Sequence, residues 1–466
     1  MFDYDLIVIG SGPAGHRGAV QAARLRKRVA LVERGEMVGG VCVNTGTIPS
    51  KTMREALMYL SGYREHLIYG ISYSVKQKIT MKDLMFRVGP VVRHEIDIMR
   101  HQLLRNGVEL LTAEASFSDP HTVQLHFSDG HRQGEITGEN ILIATGSEAI
   151  RDSHIPFDGR YIFSSDDILT LDELPKTLAV VGAGVIGCEY ASMFAALGVK
   201  VTLIDKRTRL LPFVDGEIVE ALTYHLRENR VTLRLGEEVS TIVYHDDGRQ
   251  RPVELGLASG KHIIEDKALY SIGRCGAVGR LNLQATGVEA EEKGRIKVTK
   301  FYQTNVPHIY AAGDVVGFPA LAATSMEQGR VAVAHAFQNG LDEGIEFFPY
   351  GIYTVPEVSY VGRNEEELTA AGVPYEVGKA RYREIARGQI IGDEIGMLKL
   401  LFHADTREML GVHIIGEGAC ELIHTAGAVL SLGGKLDYFL SAVFNYPTLG
   451  QCYKIAALDG MSRLGH

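Results

Sequence analysis

The chain has 466 residues, room for about three domains at roughly 150 residues each. Apolar residues make up 45% and charged residues 23%, which excludes a disordered, fibrous or disulfide-stapled protein. Asp and Glu outnumber Lys and Arg by 57 to 48, a balance of −9, so net charge alone draws the chain to neither nucleic acid nor an anionic membrane.

The N-terminus, Met1-Phe-Asp-Tyr-Asp5, runs directly into apolar residues. It has neither the basic start nor the cleavage site of a signal peptide, and no stretch of 18 apolar residues occurs. A cytoplasmic protein without a membrane span is expected. Residues 5–34 (DLIVIGSGPAGHRGAVQAARLRKRVALVER) then set out a strand, a glycine turn, a helix of small residues and a second strand. In the turn, Gly10 permits the tight bend, Gly12 lets backbone approach a pyrophosphate, and Gly15 lets the helix pack on the strand. The helix N-terminus then faces the phosphates. Glu33, 18 residues after Gly15, is an acid placed to accept hydrogen bonds from ribose hydroxyls.

Residues 51–110 carry helical patterns, and residues 114–145 read as short strands around an Asp129-Gly130 turn, ending in ILIATG at 141–146. After the loop Asp172-Glu-Leu-Pro175 the first pattern returns at 178–207 (LAVVGAGVIGCEYASMFAALGVKVTLIDKR). Its glycines are Gly182, Gly184 and Gly187, and its distal acid is Asp205. The simplest reading is two dinucleotide folds in one α/β chain, a flavin facing a nicotinamide. Strands follow at 267–274 and 308–314, and a helical pattern runs from 321 to 337. Beyond Pro349, strands at 397–402 and 408–415 and helices near 418–433 and 449–459 form a separate α+β unit without a phosphate loop. The five cysteines (Cys42, Cys188, Cys275, Cys420, Cys452) share no CxxC spacing, and none of the 17 histidines forms an HExxH pattern, so neither a zinc ribbon nor another metal site is expected.

Residues 39–51 read Gly-Gly-Val-Cys-Val-Asn-Thr-Gly-Thr-Ile-Pro-Ser-Lys. This segment resembles the GGxCxNxGCxPSK motif of the pyridine nucleotide–disulfide oxidoreductase flavoproteins. The likeness extends over nearly the whole chain, through ILIATG, GAGVIGCEYA, SIGR, IYAAGD and a C-terminal FNYPTLGQ. It implies an FAD-binding domain (1–150 and 275–345) split by an NAD(P)-binding domain (151–274), then a C-terminal dimerisation domain (346–466) and a homodimer or larger assembly. By resemblance, Gly10, Gly12, Gly15, Glu33, Gly40, Cys42, Gly146 and Asp314 bind the flavin dinucleotide. Asp314 receives the ribityl chain in that reading, caps the helix that follows, or does both. Gly182, Gly184, Gly187, Asp205, Arg207 and Gly273 take the nicotinamide partner. Lys51 pairs with Glu189 near flavin N5, where a cation favours the anionic reduced ring.

Three departures set the expected chemistry. The second cysteine of the family's CxxxxC pair is Thr47, and Tyr446 and Gln451 replace the His and Glu of its acid–base pair. Neither a disulfide nor a proton-transfer pair near neutral pH remains. The expectation is ping-pong hydride transfer between NADPH and NAD⁺ through FAD. Quinone or oxygen reduction by the same flavin, or a flavin-bound interaction protein with little turnover, are the alternatives. Cys42 reads either as a residual thiol beside the flavin or as a small buried residue. Asp205 favours NAD, while Lys206, Arg207 and Arg209 suit the 2′-phosphate of NADP.

Overall fold

A computed structural model describes residues 1–70, 72–127, 133–338 and 347–464. The expected Asp129-Gly130 turn and the boundary at 345–346 lie outside the described residues. The chain divides into two compact units. The first comprises Met1–Met53, Met85–Ile150 and Gly273–Ile345, the second Arg54–Leu84, Arg151–Ile272 and Glu346–His466.

In the first unit five parallel strands lie in the order Glu109–Thr112, Val29–Glu33, Tyr4–Ile9, Gln133–Ile143, Ile309–Ala311. The central strand LIVI is buried on both faces, which is why it reads as a continuous apolar run with no alternation. Gln133–Ile143 is long enough to pair at one end with Tyr4–Ile9 and at the other with the antiparallel hairpin Glu114–Asp119 and Thr122–His126. Helix Pro13–Arg24 covers one face, its proline at the first turn where no amide partner is needed.

The second unit repeats the arrangement: Thr232–Leu235, Lys200–Asp205, Thr177–Val181, Lys267–Tyr270 and Ile162–Ser164, all parallel. The repeat seen in the sequence is therefore a repeat of topology. Two further sheets complete this unit. One is a three-stranded antiparallel sheet (Val239–Tyr244, Val253–Leu257, His262–Glu265). The other has five antiparallel strands in the order Tyr350–Ile352, Val358–Gly362, Met409–Ile415, Met397–His403, Tyr375–Arg381. Helices Ala419–Ser431 and Gln451–Arg463 close a core around Leu400, Phe402, Val412, Phe439 and Tyr453. Among the described residues no helix is long and apolar enough to cross a membrane.

Candidate active site

The first glycine turn is built by exclusion. Gly10 has φ +100°, and a Cβ there would stand 2.4 Å from the Ala144 carbonyl oxygen. A Cβ on Gly15 would stand 1.9 Å from the Gly10 carbonyl oxygen, so the helix packs directly on the turn. At Gly12 nothing lies within 4 Å, and this side opens onto a cavity. Gly10, Gly12, Glu33, Gly40, Cys42, Gly146 and Asp314 all line that cavity, and so does Thr47. Gly15 lies behind the turn, and Lys51 and Gly273 are not among the lining residues.

Glu33 is held rigidly. One carboxylate oxygen accepts from the Ser11 amide at 2.9 Å and the Ser11 hydroxyl at 2.6 Å, the other from the Gly35 amide at 3.2 Å. The Ser11 hydroxyl oxygen in turn accepts from the Gly39 amide at 2.9 Å, tying the segment with Gly40 and Cys42 to the turn. Asp314 accepts from the Ser147 hydroxyl at 2.8 Å. Arg274 locks Ser147 through Nε to its hydroxyl oxygen and Nη2 to its carbonyl, both at 2.8 Å. Asp314 opens the short 3-10 turn Asp314–Val316, and the helix that follows, Ala322–Ala336, starts after Leu321, so Asp314 does not cap it. Ser11 and Ser147 were missed in the sequence because neither is a fixed letter of the quoted motifs; each merely neighbours a motif glycine.

Cys42 is half-buried and faces Thr47 rather than a second thiol. Burial pushes its pKa above the ordinary value, and the hydrogen bond with the Thr47 hydroxyl only partly opposes this. All five cysteines are free. Lys51 is half-buried in helix Thr47–Ser61.

The second turn repeats the first almost to the tenth of an ångström. A Cβ would stand 2.4 Å from the Ser271 carbonyl oxygen at Gly182 and 1.8 Å from the Gly182 carbonyl oxygen at Gly187, with nothing within 4 Å at Gly184. Asp205 closes the neighbouring strand and is 7% exposed. Its carboxylate accepts from the Ala183 amide at 2.6 Å, the Arg207 amide at 2.8 Å, and Arg207 Nε and Nη2 at 2.9 and 2.7 Å. Although burial alone would raise the pKa of Asp205, these hydrogen bonds and the Arg207 charge hold it below the ordinary value. Glu189, 4% exposed on helix Val185–Ala196, accepts from the Tyr353 amide at 2.8 Å. Tyr446 is 71% exposed.

The pyridine nucleotide-disulphide oxidoreductase model matches residues 4–335, and the dimerisation domain of the same family matches residues 348–457. The chain belongs to this family. Over 464 residues it is 53% identical to the soluble pyridine nucleotide transhydrogenase of Mycobacterium bovis strain BCG, covering 100% of this chain and 98% of that protein. Identity is 42% to the protein of that name from Colwellia psychrerythraea, covering 99% of each. Among solved structures, LpdA from Mycobacterium tuberculosis superposes with a TM-score of 0.89 at 26% identity, over 97% of this chain and 99% of that one. The HOCl-induced flavoprotein disulfide reductase RclA from Escherichia coli gives 0.86 at 27% identity, over 98% and 99%. Both glycine turns fit the family's dinucleotides: each leaves open the one position where a side chain would stand between backbone and phosphate.

Proposed function

We propose that this chain catalyses hydride exchange between NADPH and NAD⁺ through bound FAD, with no redox disulfide. The observation that carries the reading is Thr47 facing Cys42 in the cavity where the family's second cysteine would stand. A hydroxyl cannot close a disulfide, so electrons have no protein thiol pair to enter. The full-length relatives named soluble pyridine nucleotide transhydrogenase agree with it.

When bound, the flavin supplies an N5 that accepts and returns hydride. The chain's residues do the rest by positioning. The turn Gly10–Gly15 and the N-terminus of helix Pro13–Arg24 bind pyrophosphate, Glu33 holds a ribose, and the Ser147-locked Asp314 orients the ribityl chain. Lys51 would supply a cation that favours reduced flavin, and Glu189 a carboxylate of the hydride-transfer machinery. The turn Gly182–Gly187, with Asp205 and Arg207, and the backbone at Gly273, admit the two nicotinamide dinucleotides in turn. The chain works as a homodimer through its C-terminal domain, and a cytoplasmic location belongs to the same proposal.

The test is anaerobic mixing of FAD-loaded protein with NADPH and thio-NAD⁺. Rapid appearance of thio-NADH is expected. Flavin that NADPH reduces but thio-NAD⁺ fails to reoxidise would move the acceptor elsewhere, with quinones next.

A further inference from the structure

Arg54 is a fully buried arginine, 1% exposed. A cation so placed is costly to desolvate unless its partners are fixed. Its Nε donates to the Thr354 carbonyl at 3.1 Å. Its Nη1 contacts Glu357 at 3.2 Å and Glu55 at 3.0 Å. Glu357 is itself only 7% exposed, and it also accepts from the Cys420 amide at 3.3 Å.

The Thr354 carbonyl that Arg54 grips lies one residue beyond the amide that holds Glu189. The Tyr353 amide donates to Glu189 at 2.8 Å, and the Val355 amide to the Ser192 hydroxyl oxygen at 3.0 Å. Three successive residues thus satisfy groups on two different helices. The charges of Glu357, Arg54 and Glu189 also all reach the buried Cys420 thiol, so they share one neighbourhood. Filling the space needs only an apolar side chain. What arginine adds is a planar fork that fixes two partners in direction at once, which a lysine ammonium does not.

We infer that Arg54 is a positioning residue for hydride exchange: through Thr354 and Glu357 it fixes the Tyr353 amide that orients the Glu189 carboxylate. This rests on the catalytic role proposed for Glu189.

The test compares R54K and E189Q holoenzymes with wild type. R54K keeps the charge and loses the fork. At saturating NADPH its flavin reduction is expected to slow about ten- to hundredfold, as for a catalytic group displaced by about an ångström. The apparent affinity for NADPH should stay within about twofold. Hydrogen exchange in the peptide spanning residues 350–358 should quicken about tenfold, a readout independent of turnover. Folded R54K with wild-type reduction and exchange, beside a slowed E189Q, overturns the role of Arg54 alone. An E189Q that reduces its flavin at the wild-type rate overturns the role of Glu189 and this inference with it. If R54K does not fold, the double variant R54M/E357L, in which apolar groups replace the pair, is read by the same outcomes.

Discussion

Asp205 and Arg207 stand two residues apart and close on each other, with both carboxylate oxygens taken and 43% of the arginine side chain exposed. A bare carboxylate there would repel a 2′-phosphate and accept from a 2′-hydroxyl. Pairing removes the repulsion and leaves a guanidinium at the surface, suited to bidentate phosphate contact. R207A should therefore slow flavin reduction by subsaturating NADPH about ten- to hundredfold, the worth of one or two charged hydrogen bonds. Reduction by NADH should change by less than about threefold. Equal losses with both donors would place Arg207 in stability rather than in selection. The acids themselves were legible, because a strand, a glycine turn and a helix fix how far along the chain the next strand ends. The clasp between Asp205 and Arg207 was not, since adjacency of opposite charges in sequence says nothing of which way each side chain turns.

The two turns also divide their glycines by task. Gly187 is needed for packing, because its Cβ position overlaps a carbonyl oxygen at 1.8 Å. At Gly184 the Cβ position meets no atom within 4 Å, so packing does not require glycine there and the proposed nucleotide site does. G187A should lose about 1–3 kcal/mol of stability from overpacking. G184A should keep the wild-type melting temperature within a degree or two but bind nicotinamide dinucleotide at least tenfold more weakly. Both should retain FAD, whose loop is elsewhere. Thermal unfolding beside a nucleotide titration decides it, and a destabilised G184A would refute the division. Both turns were readable because a short motif carries their whole geometry. The strands Val239–Tyr244, Val253–Leu257 and His262–Glu265 were not singled out from the sequence. They alternate only weakly and are broken by the polar stretch at 245–252. The helical stretch read over 51–110 runs into the first two residues of strand Glu109–Thr112, which follows the long helix Met81–Arg105 after only three positions.

At the scale of the whole molecule the hardest feature to foresee is a contact across sequence. Asp215 caps helix Gly216–Glu228, and Lys399 lies 184 residues later on strand Met397–His403 of the final sheet. Among the described residues one group of carboxylates converges, Asp215, Glu217 and Glu365, and the Lys399 ammonium bonds all three. Asp215 and Lys399 are 0% and 1% exposed. The protein's own ammonium thus stands where a cation would. Burial alone would raise the Asp215 pKa, but His413 and Lys399 outweigh it and hold the value below 3.8. For Lys399, burial opposes the charge, yet Asp215 and Glu365 hold its pKa above 10.5. The signs follow from linkage. The depressed acid stabilises the fold above 3.8 and loses that contribution as pH falls through its folded value. The raised base stabilises below 10.5 and loses its contribution as pH rises through its folded value. K399M leaves a buried carboxylate unpaired and should cost about 3–5 kcal/mol at pH 7. Without the ammonium, burial is opposed only by His413 and the amide donors, so the Asp215 pKa rises from its depressed value and the deficit should shrink as pH falls from 8 toward 5. Denaturant unfolding of both proteins from pH 5 to pH 8 measures that difference. A deficit independent of pH would mean that Lys399 stabilises by packing its methylene chain, not by its charge.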